Sequence, residues 1–237
     1  MDEFANKTIL GVAAHPDDLD FSSSGTIAKA IKQGAKVIYL LATKGQKGGN
    51  DPNVSSKQLA VIREREQRRA AKSLGVSEVH FLEFMDGELT PTLKLKERIV
   101  YFIRKFKPDI VITMDPVHFY NKDFGFINHS DHRAIGQATL DAVYPLARDL
   151  LSFPAQVKKG LAPHKVRELL ITDFESPNYI VDITDTIDQK LKALSFHKSQ
   201  IKDMSQVSER IKERSRMLGA KHGYEYCEAF VKLVLPR

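Results

Sequence analysis

Five short apolar runs punctuate the chain: Thr8 to Ala14, Lys36 to Ala42, Glu78 to Leu82, Asp109 to Thr113 and Glu168 to Thr172. The runs are largely apolar rather than strictly alternating, which is the pattern of strands buried on both faces. Between them lie segments of helical length with apolar residues three and four apart. Their ends are readable. Gly34 closes the first, and Ser55 with Gln58 forms a capping box for the second, which Gly75 terminates. Thr90 followed by Pro91 opens the third, with Pro108 just past its end. The fourth begins at Ser130 or Asp131 and carries Ile135, Ala138, Ala142, Leu146 and Leu150 at helical spacing. Alternating strand and helix predicts an α/β, Rossmann-like, mostly parallel sheet of order 3-2-1-4-5 flanked by helices. After Phe153 the pattern loosens. A turn falls at Gly160 to Pro163, a helix runs from Thr184 or Asp185 to about Gln200, another from Gln206 to Leu218, and Tyr224 to Leu235 is extended. With no repeat and no low-complexity linker, residues 1–237 read as a single domain, with a core over about 1–153 and a C-terminal α/β elaboration over about 154–237.

Composition narrows the classes. At 42% hydrophobic and 28% charged residues the chain is an ordinary globular one. A net charge of +6 permits an acidic partner, yet the basic residues interleave with acids, as in Arg63-Glu64-Arg65-Glu66, and Trp is absent. Such runs are solvated helix faces, so no nucleic-acid partner is expected. No apolar segment is long enough to span a bilayer, and the polar first seven residues lack a signal core. The lone cysteine, Cys227, fits a reducing compartment, and a cytoplasmic location follows.

Candidate chemistry follows two of the strands, directly behind the first and beyond a long loop after the fourth. His15-Pro16-Asp17-Asp18 follows the first and His129-Ser130-Asp131-His132 follows the fourth. Taken alone, the first cluster is a tight turn capping the next helix. In a 3-2-1-4-5 sheet, however, strands one and four are neighbours at the point where strand order reverses, so topology brings the two clusters together. Jointly they supply the ligands of a catalytic divalent ion. Adjacent Asp17 and Asp18 point apart, so that one can bind metal while the other faces the bound water. His132 can serve as the third ligand, His129 can lie alongside, and Asp131 can orient a neighbouring imidazole. On the second helix, Arg63 and Glu66 fall within the apolar stripe of Leu59, Ile62, Ala70 and Leu74, so they face inward and either pair or line a polar cavity. Asp86-Gly87 turns after strand three on the same face as both clusters. The loop from Asp115 to Ser130 is long and aromatic and reads as a wall or lid. Gly45, Gly48 and Gly49 do not match a dinucleotide fingerprint.

The run Ala14-His15-Pro16-Asp17-Asp18-Leu19-Asp20, with Gly25-Thr26-Ile27 behind it, resembles the opening motif of the LmbE-like, or PIG-L, zinc-dependent deacetylases. His129-Ser130-Asp131-His132 resembles their second motif, and similarity extends through Arg63 to Glu66, Asp86-Gly87, His197-Lys198-Ser199-Gln200 and Tyr226 to Phe230. The resemblance implies that His15, Asp18 and His132 bind Zn²⁺ (another divalent metal remaining an alternative) and that Asp17 is the general base. It further implies that His129 stabilises the oxyanion, with Asp131 tuning it, and that Arg63 and Asp86 contact the sugar. Asp20, Glu66, Tyr120, Asn128 and His197 are expected to support the ligands or wall the site. Departures include Asp20 for the usual Glu, Ser130 for Pro, Gln46 for Glu, and Ile127 where some members carry a Tyr, whose role would pass to Tyr120. The implied activity is removal of the N-acetyl group from an N-acetylglucosamine-type small molecule. Assembly into a trimer or hexamer is implied as well. Rival readings are an amidase for a larger N-acyl group and a non-haem iron oxygenase built on His15, Asp17 and a distant His, which suits a jelly roll better than βαβ units.

Overall fold

The computed structural model describes residues 3–122, 125–172 and 176–236. A seven-stranded sheet forms from β1 (Thr8–Ala13), β2 (Lys36–Thr43), β3 (Glu78–Phe84), β4 (Ile110–Met114), β7 (Glu168–Thr172), β8 (Tyr179–Asp182) and β9 (Cys227–Val234), in the order β3-β2-β1-β4-β7-β9-β8. The first five positions reproduce the expected 3-2-1-4-5 arrangement, all parallel. The C-terminal elaboration adds β9 and β8 antiparallel at the β7 edge. β1 and β4 are wholly or almost wholly buried, because helices cover both faces of the sheet. A separate two-stranded hairpin, β5 (Tyr120–Asn121) and β6 (Phe126–Ile127), lies within the long aromatic loop.

Helices α1 (Asp18–Lys32), α2 (Ser56–Leu74), α3 (Leu93–Phe106) and α4 (Ser130–Asp141) fall between the parallel strands. The capping box of Ser55 and Gln58 forms as expected, and Gly75 closes α2 in the left-handed region at φ 90°. At α3 the cap is Thr92, whose hydroxyl accepts from Leu95 N, rather than Thr90. Helix α4 is shorter than its apolar spacing implies. It ends at Asp141 and passes into a π-helical turn, Ala142–Leu146, that contains Pro145 and carries non-helical Tyr144. Later come α5 (Pro154–Lys158), α6 (Ile187–Leu194) behind a 3₁₀ turn at Thr184–Thr186, and α7 (Met204–Ala220). The helix expected to reach Gln200 therefore stops at Leu194, and residues 195–200 form a turn that carries His197 and Ser199. Among the described residues, no helix is long and apolar enough to cross a membrane.

Candidate active site

β1 and β4 are adjacent, so the segments that leave their C-terminal ends meet in the crevice of the switch point. The rings of His15, His129 and His132 form a triangle with centroids 4.8, 5.4 and 5.4 Å apart. Among the described residues, two groups can hold a metal ion, His15/Asp18/His132 and His15/Asp86/His129, each with ligand atoms within 4.8 Å of one another.

The surrounding hydrogen bonds distinguish them. Asp18 Oδ2 accepts from the backbone N–H groups of Ala14 (3.1 Å) and His15 (2.8 Å), while Oδ1 lies 3.1 Å from His132 Nε2. His132 Nδ1 lies 3.2 Å from Asn128 Oδ1, an oxygen that can only accept, which leaves Nε2 as the lone-pair nitrogen. His15 Nε2 faces Asp86 Oδ1 at 3.1 Å and Asp131 Oδ2 at 3.3 Å. Ionised carboxylates only accept, so Nε2 carries the proton and Nδ1 is free in the neutral ring. Each member of the first group thus has one atom fixed by a neighbour and one turned inward: His15 Nδ1, Asp18 Oδ1 and His132 Nε2. In the second group, Asp86 Oδ1 is engaged by His15, and His129 Nδ1 accepts from the Asp131 backbone N–H at 3.1 Å.

Electrostatics show that this pocket suits a cation. Burial opposes charge on His15, but hydrogen bonds to Asp131, Asp18 and Asp86 outweigh it and push the imidazole up to about 12. Burial works the same way on Asp18, yet His132 and His15 hold its carboxyl well below the ordinary range. Asp86 is held down to about 2, against burial, chiefly by His15 and the Lys47 amide. Asp17 behaves differently. Burial raises it to about 6, with Arg63 pulling the other way and Asp18 adding to the rise. His129 is lowered by burial and by the two neighbouring histidines. It is the most exposed ring of the three, 46% against 22% for His132 and 9% for His15, so the cluster opens on its side.

The other singled-out residues frame this centre. Asp131, fully buried, accepts from the backbone N–H groups of Gly87 (2.7 Å) and Leu89 (3.3 Å), and its carboxylate is nearer His15 than His129, whose Nδ1 is 4.0 Å away. Asp86 also accepts from Lys47 N at 2.8 Å. Arg63 is buried but does not pair with Glu66. It donates to Gly45 O (3.0 Å) and Pro16 O (2.7 Å) and bridges to Asp17 Oδ2 (3.2 Å). Glu66 instead accepts from Ser199 N and Oγ at 2.8 and 2.6 Å. Asn128 anchors the loop by donating to Asp115 O and His118 O. Tyr120 stands on β5 largely in solvent. Asp20 and His197, both fully buried, meet at 2.8 Å. Sequence reasoning overlooked Gln67, whose Oε1 accepts from Asp17 N at 2.8 Å. Its position four residues after Arg63, on the same face of α2, was the available signal.

An open α/β sheet whose switch-point crevice gathers two imidazoles, a carboxylate and the adjoining Asp17 defines an enzyme with the donor set of a metal-assisted hydrolase. The chain belongs to the PIG-L family: the family's sequence model, described as GlcNAc-PI de-N-acetylase, matches residues 10–143. A diacetylchitobiose deacetylase of Thermococcus kodakarensis is 38% identical over 195 residues, covering 82% of this chain and 70% of that protein. A probable N-acetyl-α-D-glucosaminyl L-malate deacetylase of Bacillus cereus is 30% identical over 83% of this chain and 84% of its own length. Among solved structures, the N,N′-diacetylchitobiose deacetylase of Pyrococcus horikoshii, complexed with an inhibitor, superposes with a TM-score of 0.88 at 31% identity, covering 96% of this chain and 84% of that one.

Proposed function

We propose that the protein is a metal-dependent N-deacetylase that hydrolyses the acetamide of an N-acetylglucosamine-type sugar or small glycoconjugate, with His15, Asp18 and His132 holding Zn²⁺. The observation that carries this is the convergence of one ligand atom from each of those three residues, with Asp17 next to Asp18 in the chain. Relatives that are named as deacetylases of three kinds of glucosaminyl substrate support the reaction class. When bound, the cation would lower the pKa of a water to about 7 and polarise the amide carbonyl.

The chain's own residues supply the rest. Asp17 accepts the proton of the attacking water, held in place by Arg63 and by Gln67. His129 accepts the Asp131 N–H at Nδ1, so its neutral ring carries the proton on Nε2, where it donates to the developing oxyanion. The protonated Asp17 can then pass its proton to the departing amine. Arg63 acts on the sugar only through this frame, because its guanidinium is buried against Pro16, Gly45 and Asp17. Asp86, buried and engaged by His15 and by the Lys47 amide, acts on the sugar through the placement of that imidazole and of the Lys47 backbone. A cytoplasmic site of action is supported by the single buried cysteine, and assembly into a trimer or hexamer is testable by mass photometry.

The test is acetate release from N,N′-diacetylchitobiose and a panel of N-acetylglucosamine conjugates, with chelator and then with zinc restored. Turnover abolished by chelation and regained with zinc is expected. Asp17→Asn should keep its metal and lose about 10²- to 10⁴-fold in kcat. A metal-replete protein that releases no acetate from any of these substrates overturns the proposal.

A further inference from the structure

Asp17 sits in a backbone conformation that a residue with a side chain seldom adopts, φ 89° and ψ −25°, directly between Pro16 and the first residue of α1. Such a conformation persists only where neighbours over-determine it. Here helix α2 grips the residue twice. Arg63 takes the carboxylate and the preceding carbonyl, and Gln67, one turn later, takes the backbone N–H at 2.8 Å.

An amide side chain can turn end for end, so Gln67 presents oxygen to Asp17 only if its nitrogen is committed elsewhere. That nitrogen donates to Asp20 Oδ2 at 2.8 Å, and the same oxygen accepts from His197 Nε2 at 2.8 Å, while Tyr39 donates its hydroxyl to Oδ1 at 3.3 Å. Asp20, Gln67, Tyr39 and His197 are all fully buried. His197 Nδ1 has no hydrogen-bond partner among the described residues, so the ring is retained at a buried position where only one of its nitrogens is used. The ring enters from the turn after α6, and Ser199 of the same turn fastens Glu66 of α2.

We infer that His197, Asp20 and Gln67 form a buried positioning chain that fixes the left-handed backbone of Asp17 and thereby aims its carboxylate at the reacting water. The C-terminal part of the chain thus acts on catalysis without touching substrate. The inference rests on the proposed role of Asp17 as base.

The experiment pairs Gln67→Met and His197→Leu with His197→Gln, which restores an N–H donor to Asp20. Amide hydrogen exchange on the substrate-free protein should show Asp17 N–H losing protection by about tenfold or more in the first two variants, with β1 unchanged. In diacetylchitobiose turnover, kcat should fall about 10- to 100-fold, as misaimed catalytic groups do, with KM within about twofold and zinc stoichiometry intact. His197→Gln should recover most of both signals, and the Gln67→Met/His197→Leu pair should lose no more than the worse single variant. Lost protection with unchanged kcat, or a fall in kcat that merely tracks lost zinc or unfolding, overturns the inference. An active Asp17→Asn enzyme, by contrast, overturns the assignment of the base and leaves the exchange result standing as backbone structure alone.

Discussion

Around His15 the identity of each hydrogen-bond partner decides which ring nitrogen is free, and this makes individual carboxylates testable. Asp131 is anchored by two backbone amides and directs its charge at His15 Nε2. If that contact sets the imidazole, Asp131→Asn should weaken zinc binding about 10- to 100-fold, as loss of a ligand's supporting carboxylate does, read by competition with a chromophoric chelator. Should Asp131 work through His129 instead, kcat would fall while zinc affinity stayed level. Convergence of His15, Asp18 and His132 was legible in the sequence because each lies in the segment that leaves the C-terminal end of one of two neighbouring strands, β1 for His15 and Asp18 and β4 for His132. Gln67 was less so. It lies in a run of Glu and Arg that reads as a solvated face, and although its place one turn after Arg63 puts it on the inward side, nothing in the sequence announces that Asp17 will need its N–H satisfied.

At the level of elements, helix α4 carries His129 at its N-cap and His132 in its first turn, so the helix must dock closely on β4 for His132 to reach Asp18 and for His129 to reach His15. Gly136 permits that approach, since a Cβ there would lie 2.4 Å from Met114 O and 3.1 Å from Pro116 N, both backbone atoms. Gly136→Ala should therefore push α4 outward, lower zinc affinity, and destabilise the fold by about 1–3 kcal/mol. Chelator competition alongside thermal unfolding checks this; an alanine variant with native zinc affinity would show that the helix position does not set the site. The existence of α4 followed from its apolar spacing, whereas its end did not. Leu146 and Leu150 continue the period, but Pro145 cannot continue the ladder, and the chain turns through a π-helical segment instead. Strand β8 was missed for a related reason: four residues at a sheet edge offer too short a pattern to separate from loop.

Across the whole molecule, the antiparallel β9 and helix α6 must be held against α1 for the His197 turn to reach Asp20. A buried ion pair does this. Lys190 Nζ and Glu228 Oε1 are 2.6 Å apart with both side chains almost fully buried. The Glu228 carboxylate also accepts from Gly25 N at 3.0 Å and Thr26 N at 2.7 Å, and Lys190 donates to Phe21 O at 2.6 Å. Three elements distant in sequence are thereby tied at one point on α1, the helix that opens with Asp18. Removing one partner leaves the other charge buried and unpaired, which costs about 3–5 kcal/mol and corresponds to about 6–20 °C in Tm for a chain of this length. Glu228→Ala should show that loss, because Lys190 then keeps only the Phe21 carbonyl and has no counter-charge in its buried site. The double variant Lys190→Met/Glu228→Ala should recover part of it, since no uncompensated charge remains. Strict additivity of the two single changes in calorimetric or denaturant unfolding would mean that the pair is not coupled, and that packing of β9 alone holds the C-terminal elements to the sheet.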